Sequence, residues 1–182
     1  RFSETGASYK PYGFDFSGNV PTIANRVSVL EETVGEVLSQ KKILVIGDSI
    51  SSDSYGDYEK WVTDLINKGV FTDNLVTNSS QHATGFVAKS ENNYPNFIER
   101  IEAIENPSSY DLVIVFGGIN DYIQSIPLGS ESGTDYTVSF KPAVNHFFDY
   151  LIQHFTQARL CVLLPLRTYQ TWVNSVDQYQ NR

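Results

Sequence analysis

Apolar residues follow two patterns along the chain. Through residues 21–40 they fall at Ile23, Val27, Leu30, Val34 and Val37, in steps of four, three, four and three. That is the spacing of one helix face and also the a/d spacing of a heptad repeat. Pro21 and Thr22 suit a helix start, and Glu31, Glu32 and Glu36 lie off the seam. Two readings stay open. The segment is an amphipathic helix packed on its own domain, or a short coiled-coil stem that assembles a homotrimer through residues 21–40. About two and a half heptads are marginal as an isolated coiled coil.

From Lys41 the pattern changes. Ile43 to Ile46 is a continuous apolar run that stops at Gly47-Asp48-Ser49, and Leu112 to Phe116 is a second that stops at Gly117-Gly118. Short runs of this kind bounded by glycine read as strands buried on both faces. Residues 75–78 and 160–164 read as further strands, the last closed by Pro165. Between them apolar residues recur at helical spacing. They are Trp61, Val62, Leu65 and Ile66 within 58–68, and Phe97, Ile98, Ile101 and Ile104 within 96–105. Val144, Phe147, Phe148, Leu151, Ile152 and Phe155 do the same within 140–156. Strands alternating with helices predict right-handed crossovers. The fold class is therefore α/β, a parallel sheet with helices on both faces, preceded by a short N-terminal helix. Residues 1–20 carry Gly6, Pro11, Gly13 and Gly18 without lasting periodicity and read as a linker or lead-in. The expected organisation is 1–20 lead-in, 21–40 stem and 41–182 α/β domain.

Composition narrows the function. Thirteen Lys and Arg against 21 Asp and Glu give a net charge of 13 − 21 = −8. That balance argues against a nucleic-acid partner held through phosphate contacts. A single cysteine, Cys161, excludes an internal disulfide framework and a thiolate zinc site. No metal and no cofactor is expected. The apolar runs are far shorter than the roughly 20 residues that span a bilayer, so no membrane span is expected. The chain has no methionine and starts at Arg1, so it reads as a piece of something longer.

In an open α/β sheet, ligands bind beyond the carboxyl ends of the strands. Three loops sit there: Gly47-Asp48-Ser49-Ile50, residues 78–86 with Gly85, and Gly117-Gly118-Ile119-Asn120-Asp121. These strand ends present a serine, Ser49, a glycine-bearing loop and an asparagine, Asn120, to one crevice. Taken alone, a serine after a strand serves as a helix N-cap and Asn120 as a turn residue. Asp48 and Asp121 read as shaping their loops through backbone hydrogen bonds. With Asp53 and Gly118 they form the group expected around the crevice as substrate contacts, and Tyr55 lies beside Asp53.

These three blocks, in this order, resemble the SGNH (GDSL-like) hydrolases, a superfamily of esterases, lipases and carbohydrate deacetylases. Gly47-Asp48-Ser49-Ile50 is similar to the family's first block, Gly85 to the glycine of the second, and Gly117 to Asp121 to the third. The resemblance covers roughly residues 41–182 and implies the three-layer, flavodoxin-like form of the sheet. It implies that Ser49 is the nucleophile. It also implies an oxyanion hole made of the Ser49 N–H, the Gly85 N–H and the Asn120 side-chain amide.

The family's fourth element, an Asp-x-x-His that supplies the base, is not matched. Ser79 stands three residues before His82, Ala143 before His146 and Leu151 before His154. The His and Asp are therefore expected beyond residue 182, and the resemblance makes 41–182 an SGNH-type hydrolase domain incomplete at its C-terminus. The resulting expectation is a serine esterase acting on an acetylated polysaccharide or a small ester. It would be extracellular, cell-surface or virion-associated. The alternative is a non-catalytic carbohydrate-binding or adhesion module on the same fold, such as the tip of a phage tail fibre or of a cell-surface protein.

Overall fold

The computed structural model describes residues 35, 37–54 and 60–164, all within the unit that begins at Gly35. The lead-in, residues 21–34 of the stem, Tyr55 and Pro165 lie outside the described residues. The end of the stem segment is helical at Gly35, Val37 and Leu38, with the Ser39 N–H donating to Gly35 O at 2.9 Å. Leu38 packs against the apolar cluster around Val62 and Phe71, so this last turn joins the domain.

Four strands form one parallel sheet: β1 (Ile43–Gly47), β2 (Val76–Asn78), β3 (Leu112–Phe116) and β4 (Arg159–Leu163). Their order across the sheet is β2-β1-β3-β4. Among the described residues from Lys41 on, four α-helices accompany them: α1 (Trp61–Asn67), α2 (Phe97–Glu102), α3 (Ile119–Ile123) and α4 (Phe140–His154). The strand period of two sends alternate side chains to opposite faces. Leu44, Ile46, Val113 and Val115 pack with Phe97 and Ile101 of α2 and with Phe147 and Leu151 of α4. Ile43, Val45 and Ile114 turn the other way, against Val62 of α1 and Phe71. Both faces are covered, which is why β1 and β3 carry almost no polar residue.

The chain leaves β1 for β2 on one side, then returns past β1 to β3 on the other. The loops after β1 and β3 therefore diverge at a topological switch point, where a crevice opens. Gly47 is in register with Phe116, so the two loops leave from adjacent strand ends.

α2 is fixed at its start by a capping box. The Glu99 N–H donates to Asn96 Oδ1 and the Asn96 N–H to Glu99 Oε2, each at 3.0 Å. α3 is the one helix that the apolar spacing does not predict. It begins at Gly118, whose φ of 106° is left-handed and free of cost only for glycine. Its five residues include two that read as turn formers, Asn120 and Asp121.

Candidate active site

The turn after β1 is organised by Asp48. Its carbonyl accepts from the Ser51 and Ser52 N–H groups at 3.1 and 3.0 Å, and its Oδ1 accepts from the Ile50 N–H at 2.9 Å. Asp48, not Ser49, makes the side-chain-to-backbone bond of this turn, and among the described residues no helix begins here. Ser49 is half-buried, and among the described residues its Oγ takes part in no hydrogen bond. Around it the turn is braced. The Trp61 Nε1–H donates to Ser51 Oγ at 3.0 Å, and Asn78 Nδ2 donates to Ser51 O at 2.8 Å. Lys60, only 3% exposed, donates from Nζ to Ser49 O at 2.9 Å.

Asp121 organises the second loop from within. Its Oδ2 accepts from the Phe86 N–H at 2.9 Å, and its Oδ1 accepts from the Val87 and Ala88 N–H groups at 2.7 and 2.9 Å. One carboxylate thereby fixes three consecutive peptides. Burial pushes the Asp121 carboxyl above the ordinary aspartate range, with the three N–H donors pulling the other way. Burial raises Asp48 too, opposed by the Ile50 N–H and by Arg100. Asp121→Ala leaves three buried donors without their acceptor. We expect it to lower the free energy of unfolding by about 3 kcal/mol, given that each orphaned donor costs about 1–3. Urea denaturation measures this, and amide exchange at Phe86, Val87 and Ala88 is expected to accelerate. Unchanged exchange at those three amides would mean that Asp121 does not hold the loop.

Asp48 and Asp121 are fully buried, and each accepts backbone N–H groups that shape a loop. Asp53 is exposed, but Thr63 Oγ1 and Asn78 Nδ2 each donate to it at 2.7 Å, so it braces the nucleophile turn. Gly118 packs its open side toward Phe86 and Phe140 and serves the entry into α3. The Gly85 N–H donates to Ala88 O at 2.9 Å, so it is not a free oxyanion donor in this structure. Gly85 is required for another reason. A Cβ built there would lie 2.0 Å from Asp121 Oδ2.

Asn120 lies in α3, just past the end of β3. Its Nδ2 donates one hydrogen to Thr84 O at 2.9 Å, which leaves the second hydrogen of that amide for another acceptor. The preceding residue, Ala83, has φ 57°, a left-handed conformation costly for alanine. Strain of this kind collects at functional loops.

Two residues that pattern reading passed over prove central, Lys60 and Arg100. Arg100 sits in α2 between Phe97 and Ile101, on the face that enters the core. A charge on the apolar face of a helix is the signal that would have found it. Its Nη2 donates to Gly47 O at 3.1 Å and to Thr84 Oγ1 at 2.9 Å.

The three histidines make contacts with other side chains. His82 packs edge-on to Tyr94 at 5.0 Å. On α4, His146 pairs with Glu102 at 2.8 Å and stacks on Tyr136, and His154 stacks on Tyr150. Among the described residues no group of three or more His, Cys, Asp or Glu is placed to hold a metal ion. None of their helices is long and apolar enough to cross a membrane.

Solved structures carry this same architecture. A protein from Lactobacillus plantarum matches 72% of the chain at 21% identity, with a TM-score of 0.60. A provisionally assigned GDSL-like lipase from Bacteroides uniformis matches 78% of it at 22% identity, with a TM-score of 0.55, over 79% of its own length. Another from Bacteroides ovatus matches 78% at 20% identity, with a TM-score of 0.53, over 81% of its length. The fold is SGNH/GDSL-like. The chain spans about three fifths, 59%, of the L. plantarum protein and the same share of a further solved structure that is 26% identical to it. No family model matches the chain, and no curated protein matches it.

Proposed function

We propose that this GDSL-like domain is a serine esterase. The observation that carries the reading is the pairing at the switch point. An unengaged Ser49 hydroxyl leaves the end of β1, and an Asn120 amide, oriented by Thr84 O, leaves the adjacent end of β3. Ser49 Oγ attacks the acyl carbonyl, and its proton passes to a general base. The C=O oxygen becomes an oxyanion that accepts from the Ser49 N–H and from the free hydrogen of Asn120 Nδ2. Collapse of this intermediate breaks the bond to the alkoxy group, which leaves as an alcohol with the proton. Water then cleaves the acyl-serine, releasing the carboxylic acid and restoring Ser49. The base we assign to a histidine, oriented by an aspartate, beyond residue 182. The substrate class we assign to O-acetyl groups on a carbohydrate, because the site is built from polar loops on an acidic chain.

The test is active-site labelling of the full chain. A fluorophosphonate is expected to modify one residue, Ser49, located by mass spectrometry, and acetate is expected to be released from an acetylated polysaccharide. Glycan binding without labelling and without acetate release would instead identify a binding module and end the esterase reading. Asn120→Ala is expected to lower kcat about 10²- to 10³-fold on p-nitrophenyl acetate with little change in KM, since one oxyanion donor is worth that much. A KM effect with kcat intact would assign Asn120 to ground-state binding.

A further inference from the structure

We infer that Arg100 is a positioning residue that clamps the nucleophile turn to the loop holding Asn120. The inference rests on the esterase reading for what is being positioned, but the clamp itself is read from contacts.

Arg100 is 6% exposed, although a guanidinium is costly to bury. Its Nε donates to Pro95 O at 3.1 Å and Asn96 O at 3.3 Å, which ties the group to the start of α2. From that anchor the Nη2 reaches two other segments. One is Gly47 O, two residues before Ser49. The other is Thr84 Oγ1, whose own residue supplies the carbonyl that orients Asn120. Thr84 in turn donates to Gln81 O at 2.7 Å, and the Gln81 N–H donates to Gly47 O at 3.1 Å. The guanidinium therefore joins the first two sequence blocks, and Thr84 O links them to the third. The Phe97 ring lies 4.9 Å from the guanidinium carbon and fixes its plane.

The way this charge is compensated points to the same role. Asp48 is near enough to act on Arg100 electrostatically, yet no hydrogen bond joins them. Among the described residues, Arg100 Nη1 and Asp48 Oδ2 are both buried and without a hydrogen-bond partner. A buried arginine retained for stability alone is expected in a bidentate pair, or is replaceable by an apolar residue. Here Nη2 goes to a backbone and a hydroxyl acceptor of the two functional loops, and Nε to the start of α2. Burial lowers the Arg100 pKa to about 10, with Asp48 acting to raise it, so the cation persists at neutral pH. A lysine carries the charge but not the fork, and cannot serve Pro95 O, Gly47 O and Thr84 Oγ1 together.

The experiment compares Arg100→Lys and Thr84→Val with the wild-type chain. The readouts are kcat and KM on p-nitrophenyl acetate, melting temperature, and amide exchange across residues 47–52 and 80–88. We expect Arg100→Lys to lower kcat about 10²-fold with KM within about twofold, as misplacement by about 1 Å does. Exchange is expected to quicken in both segments together. Thr84→Val, which removes the hydroxyl that accepts from Arg100 and donates to Gln81 O but keeps the Thr84 carbonyl, is expected to act in the same direction and more weakly, and it serves if Arg100→Lys fails to fold. A lowered melting temperature with kcat and exchange unchanged in both segments would overturn the clamp. If the wild type itself shows no Ser49-dependent turnover, the esterase reading fails. The exchange data then decide the clamp alone: coupled quickening of both segments supports it, and quickening of neither removes it.

Discussion

Ser49→Ala is expected to lower kcat/KM on p-nitrophenyl acetate by about 10⁴-fold or more, with the fold undisturbed. The size follows from the loss of the nucleophile itself, after which only binding and the oxyanion donors remain. The undisturbed fold follows from local contacts. Ser49 Oγ has no hydrogen-bond partner among the described residues, and Asp48 holds the turn. The Lys60 contact is made to the Ser49 carbonyl, which alanine keeps. The substitution should therefore change stability by less than about 0.5 kcal/mol. Kinetics and urea denaturation on the same preparation check both halves. Retained turnover would place the ester chemistry elsewhere. A large loss of stability would make Ser49 a structural residue after all.

The parts of this architecture that could be read in advance are those where burial on both faces dictates residue type. β1 follows directly from Ile43 to Gly47, and β3 from the apolar run ending at Phe116, because both strands are sandwiched by helices. α4 is legible for a related reason. Phe147 and Leu151 repeat one turn apart on its inner face. α3 is not, since a five-residue helix begun by a left-handed glycine has no periodicity to display. Within the site, Ser49 and Asn120 announce themselves by standing just past strand ends. Their supports do not. Thr84, Arg100 and Lys60 are distant in sequence from what they hold, and their role appears only when the loops are folded together. Gly85 shows the reverse limit. Its identity is legible, but its cause is not, since the group that requires it is a carboxylate 36 residues further on.

Gly85→Ala is accordingly expected to destabilise the domain by about 3–5 kcal/mol, a cost of the size seen when a buried hydrogen-bonded network is broken. Gly85 has no left-handed φ, so alanine can adopt its backbone and conformational strain is not the cause. The cause is contact. The added methyl would stand 2.0 Å from Asp121 Oδ2 and 2.6 Å from Cγ. Asp121 cannot retreat without releasing the Phe86, Val87 and Ala88 N–H groups, and the loop cannot retreat without releasing the Phe97 N–H from Gly85 O. This account makes a second, sharper demand. Once Asp121→Ala has removed the carboxylate, the methyl has room, so the double variant should be no less stable than Asp121→Ala alone. The two penalties are then strongly non-additive, as for residues in one network. Additive penalties in urea denaturation would refute the steric explanation. If Gly85→Ala were instead as stable as wild type yet catalytically impaired, the glycine would belong to the oxyanion hole, as the resemblance implies, and its N–H would have to leave Ala88 O when substrate binds.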